Sequence, residues 1–183
     1  MRLPAAESSR LIETERVTLV PHTLDDFDCS FRMWSDPAVT RHTTGRPSTE
    51  EEAWARLQRY AGQWALMGFG YWVIRERCTG AFVGEVGLAD FRRAIVPPFK
   101  DTPEVGWALV PHAWGRGLAT EAVGAALSWA DRAMGRVRTV CLINPDNTAS
   151  RRVAEKCGYR AYAEATYKES PVVLFERGFD LRA

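Results

Sequence analysis

The chain has 183 residues, of which 46% are hydrophobic and 26% charged, a composition typical of one soluble globular domain with a sizeable core. Its 24 Lys and Arg residues nearly balance its 23 Asp and Glu residues, and the resulting net charge of +1 argues against a nucleic-acid-binding protein. No apolar run approaches the length of a membrane span, and the first ten residues lack the apolar centre of a signal peptide. We therefore expect neither feature.

The four cysteines lack the paired spacing of a metal site or a redox motif. Cys141 and Cys157 fall in apolar patterns, which is typical of core thiols in a reducing compartment. The cysteines therefore predict a cytoplasmic protein without a metal site.

Apolar periodicity and turn residues predict an alternation of helices and strands. In chain order, we predict a strand over 17–21, a helix over 24–34, a loop over 41–47, a helix from a cap at 48–52 to about residue 67, a hairpin of strands over 71–77 and 81–91, a loop over 93–102, a strand over 104–110, a helix over 118–134, a strand over 137–143, a helix over 147–157 and a final hairpin over 159–167 and 172–179. This order predicts one α/β domain over residues 1–183 with a mixed sheet, and loose order over residues 1–12.

A turn with two glycines, Gly115-Arg116-Gly117, joins the strand at 104–110 to the helix at 118–134. Glycines let the backbone approach a ligand, and the unpaired N–H groups of a helix N-terminus attract anions, so the segment predicts a phosphate or pyrophosphate site. A P-loop is excluded because the turn has no lysine. An NAD-binding oxidoreductase is disfavoured because Asn144 stands where that fold places an acidic residue.

Two segments carry a family resemblance. The loop from Gly115 to Ala119 resembles the Gln/Arg-x-x-Gly-x-Gly/Ala pyrophosphate loop of the GNAT acetyltransferases, although His112 replaces the first residue of that pattern. The segment from Asn147 to Tyr159 resembles the Asn-x-x-Ser…Glu-Lys-x-Gly-Phe helix of RimJ/RimL-type N-acetyltransferases. The segments 14–19 and 104–107 also fit that type.

The resemblance implies the GNAT fold, an α/β fold in which a mixed, mostly antiparallel sheet is flanked by helices and a splayed central strand pair binds acetyl-CoA. It implies direct attack of an amine on the thioester, with backbone N–H groups of the strand at 104–110 holding the carbonyl and the pantetheine. The polar face of the helix at 147–157 suits an amide-rich ligand. The residues expected to bind acetyl-CoA are Ala108, Leu109, Val110, Gly115, Arg116, Gly117, Leu118, Ala119, Thr120, Asn147, Ser150 and Arg151.

The acceptor amine must lose a proton before it can attack. The resemblance points to Glu104, at the entry of the strand that precedes the loop, as the general base. Glu85 on the neighbouring hairpin strand is the reserve, and His42 and His112 are weaker alternatives because a lone loop histidine is usually just exposed.

The leaving thiolate can need a proton. The wider family often places a tyrosine at the position of Ala154, so that role is vacant here, and Ser150 is the candidate hydrogen-bond donor to the sulfur. Tyr159 is expected to pack in the core.

Two function classes remain open. The leading one is an acetyl-CoA-dependent N-acetyltransferase that acts on a primary amine: a protein N-terminus, an amino acid or a small-molecule amine. The alternative is a catalytically degenerate acetyl-CoA-binding module with a sensing or structural role, which the departures at His112 and Ala154 favour. The loops at 36–47 and 92–103 are expected to select the acceptor, and a homodimer is one option for the oligomeric state.

Overall fold

An eight-stranded sheet organises the protein, and the computed structural model describes residues 10–178. The strands are β1 (Ile12–Glu13), β2 (Val17–Pro21), β3 (Tyr71–Glu76), β4 (Phe82–Ala89), β5 (Glu104–Leu109), β6 (Thr139–Ile143), β7 (Arg160–Tyr167) and β8 (Ser170–Arg177). The helices are α1 (Phe27–Trp34), α2 (Pro37–Thr40), α3 (Glu50–Met67), α4 (Leu118–Met134) and α5 (Thr148–Lys156).

The strands lie in the order β1-β2-β3-β4-β5-β6-β8-β7. All neighbouring strands are antiparallel except β5 and β6, which are parallel and joined through α4. A parallel pair needs such a crossover, whereas antiparallel strands can be joined by short turns. The prediction of a mixed, mostly antiparallel sheet flanked by helices is confirmed.

The two faces of the sheet pack against different helices. Val86, Val105 and Leu109 belong to the large core that α4 completes, whereas Ala108 packs with Met33 and Trp34 of α1. Successive side chains of a strand point to opposite faces, so the alternate positions of β4 and β5 divide between α4 on one side and α1 on the other.

Two elements were not predicted. Pro37 follows the predicted helix over 24–34, and it opens α2, because Asp36 caps that helix by accepting the N–H of Ala38 at 2.8 Å. The two-residue strand β1 pairs with β2 and is too short to give a periodic signal.

Two further expectations concern the chain's beginning and its environment. The expectation of loose order over 1–12 concerns residues 1–9, which lie outside the described residues, and three described ones, of which Ile12 lies in β1. Among the described helices, none combines the length and the apolar character needed to span a bilayer.

Candidate active site

The centre of the sheet opens between β5 and β6. The two strands share one paired position, Glu104 with Val140, and diverge beyond it. The N–H of Val110 donates to the carbonyl of Val83 in the opposite direction, at 3.0 Å. Because N–H groups alternate along a strand, those of Trp107 and Leu109 face the opening.

The alternation of N–H groups decides which of the predicted backbone contacts, from Ala108, Leu109 and Val110, can reach acetyl-CoA in the opening. The N–H groups of Ala108 and Val110 face β4, and the carbonyl of a strand residue points the same way as its N–H, so contacts from these two residues would have to come from their side chains. Leu109 presents its N–H to the opening, and Trp107 is a donor there that the sequence reasoning missed. The carbonyl of Leu109 already accepts the indole N–H of Trp114 at 2.7 Å.

The open edge of β5 leads into the two-glycine turn and the N-terminus of α4. Gly117 has a φ of +77°, the left-handed region that favours glycine, and it serves as the N-cap of α4 without a side chain to cap the helix. The N–H groups of Leu118, Ala119 and Thr120 precede the first helical hydrogen bond, so they are available to an anion. The turn thus has the backbone geometry of an anion site.

Arg16, which directly precedes β2, contacts this turn through its side chain. Its Nε pairs with Glu121 at 2.6 Å, its Nη1 donates to the carbonyl of Arg116 at 2.8 Å, and its Nη2 lies 3.4 Å from where a Cβ on Gly117 would stand. Arg116 pairs in turn with Glu76 of β3 at 2.5 Å. The turn is therefore anchored to two strands and to the first turn of α4.

The first turn of α5 lies near the opposite wall of the opening, after β6. Asn147 caps the helix by accepting the N–H of Ser150 at 3.0 Å, and Asn147, Ser150 and Arg151 are half-buried. Along this helix Ala149 is exposed, whereas Ala154 is fully buried. Ala154 therefore packs in the core.

Glu104 is buried at the start of β5, only 5% exposed. Arg93 holds it with two hydrogen bonds, from Nε to Oε2 at 2.5 Å and from Nη2 to Oε1 at 2.7 Å. Burial alone would lower the pKa of Arg93, but the hydrogen bonds to Glu104 and its charge outweigh that effect and hold this pKa above its ordinary value. Glu104 is thus an enclosed carboxylate with a single, partly exposed partner.

Glu85, opposite Ala108 on β4, is also fully buried. It accepts hydrogen bonds from Ser30 at 2.6 Å and from the indole of Trp34 at 2.9 Å, and it lies 3.3 Å from Nε2 of His22. Burial acts to raise the pKa of Glu85, but these partners outweigh it and lower the pKa below its ordinary value.

Three comparisons with known proteins agree with this geometry. A family model described as an acetyltransferase (GNAT) domain matches residues 16–160. The chain belongs to the GNAT family of acetyltransferases. The predictions of that family, of its fold and of an acetyltransferase enzyme are confirmed.

Individual relatives match most of the GNAT chain. It is 28% identical over 152 residues to the uncharacterized N-acetyltransferase YoaA of Bacillus subtilis, covering 82% of each chain. It is 31% identical over 152 residues to the FsC-acetyl coenzyme A-N(2)-transacetylase of Aspergillus fumigatus, covering 80% of this chain and 63% of that protein. A solved structure assigned to the GNAT-family acetyltransferases, from Bordetella pertussis, is 34% identical, with a TM-score of 0.82 over 93% of this chain and all of that one.

Other polar side chains of this GNAT chain lie apart from the two glutamates. His112 is exposed beside the two-glycine turn and His42 is half-buried in the loop after α2. Tyr159 packs in the core with its hydroxyl 2.7 Å from that of Thr139, as expected. Within residues 10–178, no group of three or more His, Cys, Asp or Glu side chains is arranged to hold a metal ion.

Besides Trp107, sequence reasoning missed three residues that contact the site. Arg93 and Arg16 hold Glu104 and the turn, and His22 lies buried between Glu85 and the carbonyl of Tyr71. The segment 14–19 carries part of the family resemblance, so the sequence points to the region of Arg16 but assigns this residue no role. The other two had none, because their partners lie in other elements of the fold.

Proposed function

We propose that this chain transfers the acetyl group of acetyl-CoA to a primary amine by direct attack of the amine on the thioester. The observation that carries the proposal is the open edge of β5, which leads directly into the uncapped N-terminus of α4. The GNAT family uses acetyl-CoA, and this edge and turn fit its extended amide chain and its pyrophosphate. The reactive carbonyl would then lie between β5 and β6.

The co-substrate side of the site follows from this fit. The N–H groups of Leu109 and Trp107 would hold the carbonyl and the pantetheine amides, and those of Leu118, Ala119 and Thr120 would bind the pyrophosphate with the Gly115-Arg116-Gly117 turn. From the wall beyond β6, the α5 residues Asn147, Ser150 and Arg151 would bind the pantetheine arm. The hydroxyl of Ser150 would donate a hydrogen bond to the sulfur.

On the acceptor side, we assign the general base to Glu104. An N–C bond forms as the C–S bond breaks, and the amine's proton passes to this carboxylate while the sulfur takes the bond's electron pair. Both oxygens of Glu104 bind one partly exposed arginine from a loop, whereas those of Glu85 lie against three buried side chains, Ser30, Trp34 and His22. This difference supports Glu104 over Glu85 as the base.

Coarser features belong to the same proposal. We assign the chain to the RimJ/RimL-like subgroup on the Asn147–Tyr159 pattern, and residues 1–183 to one cytoplasmic N-acetyltransferase domain. The acceptor is an amine of a protein N-terminus, an amino acid or a small molecule. Membership of an enzyme family disfavours the degenerate binding module, and we leave the homodimer as an option that ultracentrifugation decides.

The first test is ligand specificity. Acetyl-CoA at a hundred times its Kd should raise the unfolding free energy by about 2.7 kcal/mol, and NAD or ATP should not. Free-thiol detection against a panel of amines and peptide N-termini then measures turnover. Stabilisation by NAD alone would refute the proposal, and stabilisation by acetyl-CoA without CoA release from any amine would support the binding module.

A matched pair of variants locates the site within that test. Gly117→Val should abolish CoA binding, because a branched Cβ at φ +77° is strained and lies against the anion site beside Arg16. Gly124→Val is the control, since a Cβ on this α4 glycine meets no other atom within 4 Å. Equal CoA affinity in the two variants, with both melting transitions intact, would remove the turn from the site.

A further inference from the structure

Arg93 holds Glu104 with only part of its guanidinium. The group presents five N–H donors in a planar fork. Glu104 takes one at Nε and one at Nη2, and no other carboxylate among residues 10–178 pairs with Arg93. The side chain of Tyr167 also interacts with this guanidinium, but it is a neutral partner. The Nη1 side of the fork therefore carries no carboxylate and can receive one while Glu104 stays bound.

Two aromatic rings fix the plane of this guanidinium. The ring of Phe91 lies 4.8 Å from it, and the ring of Tyr167, near the β7–β8 turn, lies 4.6 Å from it. Contacts of this kind stabilise a cation and orient the fork. The Arg93 side chain is 20% exposed, so a small molecule can reach it from solvent.

Two further cations lie near the rings that contact Arg93. Arg59 of α3 lies 5.4 Å from the ring of Phe91, and no carboxylate of the described chain pairs with it. Lys168 lies 5.7 Å from the ring of Tyr167. Glu104 is the single carboxylate paired with Arg93, so an anionic ligand is favoured at this entrance.

We propose that Arg93 selects acceptors in which the reacting amine carries its own carboxylate. The acceptor's carboxylate binds the Nη1 side of the fork, and its amine then lies beside Glu104 on the adjacent side. Because the two sides belong to one guanidinium, the amine and the carboxylate must be close neighbours, as in a free α-amino acid. This inference rests on the proposed function and narrows its acceptor class.

The experiment compares each amino acid with its carboxamide and with the corresponding decarboxylated amine, by CoA release. We expect the acid to have a KM lower by about 10- to 100-fold, as removal of charge-assisted hydrogen bonds would give. Arg93→Gln should erase this difference by raising the KM of the acid, and leave the KM for acetyl-CoA unchanged. Arg93→Lys keeps the charge without the fork and should restore only part of the preference.

Arg92→Gln is the matched control, because Arg92 is the neighbouring arginine, its side chain is 74% exposed and its carboxylate partner is Asp90. It should retain the preference of the wild type. Since Arg93→Gln also strips Glu104 of its partner, kcat can fall for every acceptor, so the ratio of acid to amide within each variant is the decisive quantity. Thermal melts confirm that the variants compared are folded.

Two results would overturn the inference while the proposed function stands: amides acetylated as well as acids, or a preference that survives in Arg93→Gln. Calorimetric titration of acid and amide into the enzyme with CoA present gives a readout that needs no turnover. Tighter binding of the acid, lost in Arg93→Gln, supports the inference. Equal binding refutes it even if no amine releases CoA, a result that would separately refute the proposed function.

Discussion

Two buried glutamates on adjacent strands have different kinds of partner. Glu85 receives hydrogen bonds from Ser30 and Trp34, both on α1, and faces His22 at the end of β2. Glu104 has only Arg93, which comes from the loop after β4. The first carboxylate joins three rigid elements, whereas the second is held by one side chain that also borders solvent.

Burial alone does not identify a catalytic base, since both glutamates are buried. A base must have an oxygen that a substrate proton can reach, and the surrounding structure must tolerate its change of charge. Glu85 has its oxygens occupied and its pKa lowered, so its environment is built to keep it ionised. Glu104 has one partner, an arginine side chain that borders solvent, which suits a group that exchanges protons.

The largest expected effect is on turnover, and it tests the assignment of Glu104 as the general base. Glu104→Gln should keep acetyl-CoA affinity and lower kcat by about 10²–10⁴-fold at neutral pH. The loss should shrink as pH rises, because more of the acceptor amine is then already neutral. Steady-state kinetics between pH 7 and 10, with CoA affinity measured by calorimetry, check both parts.

Near-wild-type turnover of Glu104→Gln at pH 7 would move the role to Glu85, to a histidine or to water. Loss of acetyl-CoA binding as well would show that Glu104 maintains the shape of β5 instead. Asp90→Asn is a suitable control, since it removes a carboxylate from the same end of the sheet whose side-chain partner is Arg92 and not Arg93.

The next largest expected effect is on stability, and it tests the structural role of Glu85. Glu85→Gln should lower the free energy of unfolding by about 1–3 kcal/mol, because the amide NH2 cannot accept one of the two buried hydrogen bonds that Ser30 and Trp34 donate. Urea unfolding measures the loss. Glu52→Gln provides the surface control, since its pair with Arg46 is exposed to solvent and should contribute far less to stability.

Activity of the folded Glu85→Gln enzyme completes this test. If Glu85 is structural, the fraction that remains folded should turn over at a rate close to the wild type's. A stable variant with a large loss of kcat would reverse the assignments of the two glutamates.

The elements of the fold were predictable because their signals are local. The strand, the two-glycine turn and the helix over 104–134 follow from proline, glycine and apolar spacing within 31 consecutive positions. The single pairing of β5 with β6 came only with the family resemblance, since no local pattern encodes where two strands diverge. The helix at Pro37–Thr40 was missed because Asp36-Pro37 suits both the end of one helix and the start of the next.

The two-glycine turn and the two buried glutamates were not equally predictable from the sequence. The turn could be located because a ligand's phosphate demands glycine and a helix N-terminus in sequence. The environments of Glu104 and Glu85 could not, because their partners, Arg93 and His22, lie 11 and 63 positions away in loops or strand ends without periodic signal. A strand-end glutamate therefore reads as exposed in the sequence, although Glu104 is buried.

The smallest expected effect is a change of stability at acidic pH, and it tests whether the charge of Glu85 contributes to the fold. The pKa of Glu85 lies below its ordinary value of 4.5 in the folded protein, so its contribution to stability is present above that value. The contribution is lost as pH falls from there through the lowered pKa, because protons then bind the unfolded chain more readily. Several other carboxylates, such as Glu76 and Asp131, also have lowered pKa values, so the wild type alone cannot isolate Glu85. Those contributions cancel in the difference between wild type and Glu85→Gln. That difference, measured by urea unfolding from pH 7 to pH 4, should stay constant down to about pH 5 and narrow below it. A difference that stays unchanged to the end of the range would mean that Glu85 stabilises the fold by its shape and hydrogen bonds, with its charge playing no part.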